Sequence, residues 1–133
     1  MTTKAIADWL ETAVAAALTV TVHKGYPAWG RPTVTPPLAA ILFVEHNPNT
    51  TATVGRQRAT ESTTFEVVAY AANEMALWAF VDALDAYWPA NATPTISSVR
   101  VRAVAGSIVR LEADNIPEQA RYACRQQITF ITP

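Results

Sequence analysis

The residue types that most often carry out chemistry are rare in this 133-residue chain. It has one cysteine, Cys124, and two histidines, His23 and His46. A cysteine–histidine nucleophilic site assembles through space and leaves no local motif. However, Cys124 lies in the alternating segment RYACRQQITF, where a lone cysteine is usually a small core residue. We therefore predict that Cys124 is buried and inert, and a small cysteine hydrolase is the last of three functional hypotheses.

Metal, acid–base and nucleotide sites have even less support. The sequence has no HExxH or CxxC motif and no paired histidine–carboxylate spacing. Asp82 and Asp85 share a face of a predicted helix, but that face lies opposite the apolar stripe and is predicted to be solvated. The four glycines are isolated, so no phosphate-binding loop is expected. We predict no catalytic residue, no metal and no cofactor, and hence a protein that is not an enzyme.

Arginine is the more informative residue type. Eight of the ten basic residues are arginine, and six of them form three close pairs: Arg56 and Arg58, Arg100 and Arg102, and Arg121 and Arg125. A spacing of two places both members of a pair on one face of a strand. The planar guanidinium favours ion pairs at interfaces. The hypothesis is that Arg56, Arg58, Arg100 and Arg102 belong to a partner interface; the alternative is that these faces are only solvated.

Trp29 is the remaining candidate site residue. It lies between Pro27 and Pro32, in a segment too irregular to hide a large ring completely. An exposed tryptophan is typical of a binding hot spot. The equal alternative is that Trp29 plugs one end of the core.

Composition excludes several classes of protein. The length is that of one domain, residues 1–133. Half of the residues are apolar and 16% are charged, which is enough for a core, and the net charge of −1 lacks the basic surface of nucleic-acid-binding domains. One cysteine allows no intrachain disulfide, which favours an intracellular protein. Asp8 and Glu11 interrupt the apolar N-terminal stretch, which argues against a signal peptide. The sequence has no run of about 18 uncharged apolar residues, so no membrane span is expected.

The elements that would position these residues follow from periodicity. A helix capped by Thr2 or Thr3 is predicted first. A strand that alternates from residue 18 to residue 23 and ends at Lys24-Gly25 follows, and then a segment at 25–37 that is either irregular or a short edge hairpin. The apolar run at 38–45 predicts a strand buried on both faces. A polar arm, residues 46–60, leads into a strand at 62–71 that has Phe65, Val67, Ala69 and Ala71 on one face.

The second half begins with a helix capped by Asn73. Its apolar stripe is Leu77, Val81, Leu84 and Trp88, and Pro89 and Asn91 end it. Three further strands are predicted at residues 96–104, 107–112 and 121–131. The order α-β-β-β-α-β-β-β predicts an α+β fold of two layers, a mostly antiparallel sheet with two helices covering one face.

This arrangement resembles the tail terminator, or tail completion, proteins of long-tailed bacteriophages. The segments that carry the resemblance are GYPAWGRPTVTPPLAAILFVE at residues 25–45, TTFEVVAYAANEMALWAFVDALDAYW at 63–88 and QARYACRQQITF at 119–130. The resemblance covers nearly the whole chain. It implies a structural protein of the virion tail or neck, assembled in the host cytoplasm, without catalytic residues.

The resemblance also implies partners. They are further copies of the chain in a hexameric ring, the tail tube protein that the ring caps, and a head-completion or neck protein. DNA would pass through the lumen without specific binding. The polar arm is then expected to be mobile in a free subunit and to become ordered against a neighbouring ring; the alternatives are an ordinary exposed loop without a partner and a longer hairpin that extends two strands. The alternative function is a small ligand-binding or regulatory α+β domain, which could be dimeric.

Overall fold

A computed structural model describes residues 1–48, 60–111 and 121–132. The helices are α1, Thr3–Leu18, and α2, Glu74–Ala90. The strands in these ranges are β1, Thr21–Lys24; β2, Leu38–Asn47; β3, Glu61–Ala71; β4, Thr95–Ile96; β5, Val99–Arg100; β6, Arg102–Ala105; β7, Val109–Arg110; and β8, Tyr122–Thr132. The predicted α+β fold with a mostly antiparallel sheet is confirmed. Neither helix combines the length and apolar composition that a membrane span needs, among the residues described.

Polar side chains fix where the helices begin. Thr2 Oγ1 accepts a hydrogen bond from the Ala5 N–H at 3.1 Å, and Asn73 Oδ1 accepts one from the Ala76 N–H at 2.9 Å. The strand predicted from residue 18 begins too early, whereas its predicted end at Lys24-Gly25 agrees with the end of β1. Leu18 continues the buried stripe of α1, and Thr19, at φ 55°, ends the helix with its N–H bonded to the Ala15 carbonyl.

The main sheet has the order β1-β2-β3-β8-β6, and β7 pairs with β8 beyond the end of β6. β1 runs parallel to β2, and every other pair in this sheet is antiparallel. Residues 25–37 form no strand, so of the two predicted alternatives the irregular segment is present and the edge hairpin is not. They carry the chain back so that β2 runs in the direction of β1, and they pack Val34 and Trp29 on the sheet face away from the helices.

The alternation predicted for β3 is confirmed and divides the core in two. The main cluster lies under the helices and includes Phe65, Val67, Ala69 and Ala71 of β3, with Cys124, Ile128 and Phe130 of β8. The smaller cluster lies on the opposite, helix-free face and includes Val34, Leu38, Ala40, Val68, Tyr70 and Ala123. Each sheet face therefore has its own apolar contacts.

β2 departs from the strand predicted at residues 38–45. Its first four residues are buried, but Phe43, Val44 and the residues after them are exposed. β1 pairs only with residues 38–41, because Gly25, at φ 101°, turns the chain away from the sheet edge. β2 also extends to Asn47, so His46 and Asn47 are strand residues rather than the start of the arm. Residues 49–59 lie outside the described residues.

The strand predicted at residues 96–104 is divided. Ser97 and Ser98 both have positive φ, 50° and 65°, and form the turn of a β4–β5 hairpin. Only β6 then joins the main sheet. Of the strand predicted at 107–112, only β7, Val109–Arg110, is a strand; residues 107, 108 and 111 are not, and residue 112 lies outside the described ranges.

Candidate interaction surface

Cys124 is a core residue. Its side chain is 2% exposed and points toward the helices. Burial raises the pKa of the thiol to about 11, so it stays protonated at neutral pH. Within the described ranges, no three His, Cys, Asp or Glu side chains come together as a group that could hold a metal ion. The burial predicted for Cys124 is confirmed.

Arg100 and Arg102 come together as the sequence predicted, although they belong to two strands. Val101 between them is buried, which turns both arginine side chains outward. The two arginines line a depression of about 400 Å³, together with Thr93 and Ile131. Their role at a partner interface stays a prediction.

The other predicted site residues are placed differently. Arg56 and Arg58 lie outside the described residues. Trp29 is half-buried, and its ring meets the ring of Tyr70 edge-on, with centroids 5.0 Å apart. This position on the smaller cluster is the one that the core-plug interpretation requires. An additional role of Trp29 in binding stays a prediction.

One edge of the sheet exposes large apolar side chains. Tyr26 is 83% exposed, Phe43 is 56% exposed, and Val44 is exposed beside a register shift between Phe43 and Glu45. We call these three residues the β2-edge patch. Next to it, a hollow of about 470 Å³ lies between the first turn of α1 and β2. Its rim carries Lys24, which forms an ion pair with Asp8.

The opposite edge, formed by β6 and β7, also exposes apolar side chains, Val104 and Val109. A hollow of about 380 Å³ lies beside it, between the C-terminal half of α2 and β6; we call it the β6 hollow. Its lining is mixed and includes the apolar residues Leu84, Trp88, Ala103 and Ala105 and the polar residues Asp85, Arg102 and Gln126. The sequence did not predict this surface, because strand order in a sheet is not readable from one strand's own pattern.

The beginning of α2 forms a further exposed group. Trp78 is 58% exposed, and its Nε1–H donates to Glu74 Oε2 at 2.8 Å. Arg110 forms an ion pair with the same carboxylate and, as the main cause, lowers the pKa of Glu74. Met75 is exposed on the same turn. Two large apolar residues outside the helix stripe are a sequence signal that could have indicated this surface.

The helix-free face becomes polar beyond the smaller cluster. Arg125 of β8 lies 3.7 Å from the carboxylate of Glu66 on β3, and Thr64 and Thr129 are hydrogen-bonded at 2.9 Å. The charges on this part of the face are thus opposed across neighbouring strands.

Comparisons with known proteins find similarity among solved structures. A scan against protein families finds no match, and a search of curated proteins finds none. Among solved structures, the chain is similar to a chain of the virion of native gene transfer agent (GTA) particle. The two are 16% identical, with a TM-score of 0.47, over 90% of this chain and 81% of that one.

Proposed function

We propose that this chain is a structural protein of a bacteriophage tail, of the tail terminator kind. It forms a hexameric ring that caps the tail tube, ends tube polymerisation and joins the tail to the head-completion or neck proteins. The protein has no catalytic role in this proposal. DNA passes through the ring without being bound specifically.

The first support comes from the sequence. The three segments that resemble tail terminators span residues 25–45, 63–88 and 119–130. Where the structure describes them, the first segment forms the irregular residues 25–37 and β2, the second forms β3 and α2, and the third forms β8. The segments therefore supply the central three strands of the sheet and one of the two helices that cover it.

The observation that carries the proposal is the exposure of apolar side chains at both edges of one sheet. The β2-edge patch lies on one side, and Val104 and Val109 lie on the other. Contiguous exposed apolar patches typically mark protein interaction sites. Two different patches on opposite sides suit head-to-tail contacts, which close into rings, better than the single self-complementary patch of a two-fold dimer.

The charge pattern agrees with a conduit for DNA. Affinity for DNA comes mainly from lysine and arginine contacts to phosphate. The net charge is −1, and on the helix-free face Arg125 faces Glu66. A ring whose lumen is lined by such a face would let DNA slide without holding it.

The mass of the assembled protein tests this function. Light scattering after size exclusion, with negative-stain images of the same fractions, should show a species of six chains with a central hole. Addition of purified ring to polymerising tail tube protein should stop tube growth at its end. A species that stays a strict dimer at all concentrations would instead favour the ligand-binding or regulatory domain.

A further inference from the structure

The two exposed sheet edges of this chain differ in shape. On the side of the sheet that faces the helices, the β2 edge has a half-exposed ring, Phe43, which meets the Phe65 ring edge-on, and the β6 edge has a hollow. On the helix-free side, the β2 edge has a carboxylate, Glu45, and the β6 edge has a guanidinium, Arg102. Each feature of one edge thus has a counterpart on the other.

The faces follow from the strand registers. Phe43 is opposite Phe65, which packs under the helices, and Glu45 is opposite Thr64 on the other face. Arg102 is opposite Ile131, the neighbour of buried Phe130, and therefore lies on the helix-free face as Glu45 does. A sheet continued from one copy to the next keeps its two faces, so matching features would meet on the same face.

The strand directions are also compatible. Three antiparallel pairings, β2–β3, β3–β8 and β8–β6, separate the two edges, so β2 and β6 run in opposite directions. When copies are related by rotation about an axis along the strands, β2 of one copy would lie antiparallel to β6 of the next. With Phe43 opposite Ala105, Glu45 then reaches the part of β6 where Arg102 lies.

Side chains rather than a full ladder of backbone hydrogen bonds would make this contact. The N–H of Ala103 already donates to the Ala92 carbonyl at 2.8 Å, which covers the start of the β6 edge. The alanines at positions 103 and 105 leave room for a large ring, and the β6 hollow of about 380 Å³ lies beside them. Among the residues described, neither Glu45 nor Arg102 forms an ion pair within its own copy.

We propose that a second copy of this chain docks head to tail across these edges, with Phe43 entering the β6 hollow of the next copy and Glu45 pairing with that copy's Arg102. This inference rests on the proposed ring, and it names the surface that closes the ring. Because the two patches are different, the contact is heterologous and can be repeated around a closed ring.

Disulfide cross-linking tests the first half of the contact. Phe43→Cys protein is mixed with Ala105→Cys protein under mild oxidation, and the mixture should give a covalent dimer, because bridged Cβ atoms must lie about 3.5–4.5 Å apart. Each variant alone should not. The matched control pairs Ala105→Cys with Thr12→Cys, an exposed position on α1. The native Cys124 is buried and gives little background.

Charge exchange tests the second half. Glu45→Arg and Arg102→Glu should each weaken assembly about five-fold per contact, corresponding to about 1 kcal/mol for an exposed pair. The double variant Glu45→Arg with Arg102→Glu should assemble as strongly as the parent. The control Asp82→Arg, on the exposed face of α2, should leave assembly unchanged. If rings form but positions 43 and 105 cross-link no better than the control, the contact is wrong and the ring stands. If the protein neither forms rings nor cross-links, both proposals fail.

Discussion

Cys124 illustrates how burial lowers the reactivity that is expected of a thiol. Its thiol lies between the helices and β8, and burial holds its pKa at about 11 against an ordinary value of 9.0. Only the thiolate is a good nucleophile. We therefore expect a thiol reagent at neutral pH to label Cys124 of the native protein at least about a hundred-fold more slowly than the unfolded chain in denaturant. Equal rates in the two states would show that the thiol is accessible.

Glu74 gives a pH dependence of known sign. Arg110 and the Trp78 N–H both lower its pKa below 4.5 in the folded protein. The ionised Glu74 carboxylate therefore stabilises the folded protein fully above the pKa that Glu74 has in the unfolded chain. This stabilisation is lost as the pH falls through the lower pKa of Glu74 in the folded protein. Glu74→Gln should remove the ion pair with Arg110 and the pH-dependent stabilisation that it gives, and should keep the hydrogen bond from Trp78. Melting temperatures of the two proteins, measured at neutral pH and below 4.5, should differ less at the lower pH; a constant difference would exclude the ion pair as its cause.

Among the elements, α2 depends most directly on its sequence pattern. Leu84 is 1% exposed and belongs to the main cluster between the sheet and the helices, while Asp82, two residues earlier, is exposed. Leu84→Ala should lower the free energy of unfolding by about 2–5 kcal/mol, since it removes a large buried side chain and leaves a cavity. Urea unfolding monitored by circular dichroism measures this change. Asp82→Ala is the control and should stay within about 0.5 kcal/mol of the parent; an equally small change for Leu84→Ala would mean that this helix face is not core.

The elements that could be predicted are those whose environment is set by their own residues. The caps at Thr2 and Asn73 and the alternation of β3 are local patterns, and all three are present. The exposure of β2 beyond Ile41 could not be predicted, because it depends on where the neighbouring β1 stops. The turn at Ser97 and Ser98 was missed because a serine pair is a weak turn signal without glycine or asparagine.

The site was predictable to a smaller extent for the same reason. The spacing of Arg100 and Arg102 predicted that they lie together, and both line one depression, whereas their role at an interface stays a prediction. The proposed contact of Phe43 with the β6 hollow of another copy would join strands that are about sixty residues apart in sequence and are not neighbours in the sheet of one copy. A surface that is complete only between two molecules leaves no periodic pattern in one chain.

Within the described residues, one sheet face carries both helices, and the other carries the smaller apolar cluster with part of the 25–37 segment and, beyond that cluster, polar side chains. Head-to-tail contacts between sheet edges would keep all helices on one side of the ring wall. The helix-free faces would then form a common surface in which Arg125 is opposed by Glu66. The proposed edge contact and the proposed DNA conduit are therefore geometrically compatible, because the same rotation that joins the edges aligns these faces.

Joining the ring to its partners is expected to depend on Arg56 and Arg58, which lie outside the described residues. The sequence around them, NTTATVGRQRA at residues 49–59, has Val54 as its one large apolar residue, so little apolar burial within the subunit would offset the ordering cost of about 1–2 kcal/mol per residue. Two guanidinium groups in such a segment are suited to carboxylates on a partner. Changing both to alanine should leave the melting temperature unchanged and reduce joining of the ring to tail tube or neck protein, measured as completed particles. Arg31→Ala, at an exposed arginine in the 25–37 segment, is the matched control. Normal yields of infectious particles from the double variant would show that the arginine pair has no part in joining.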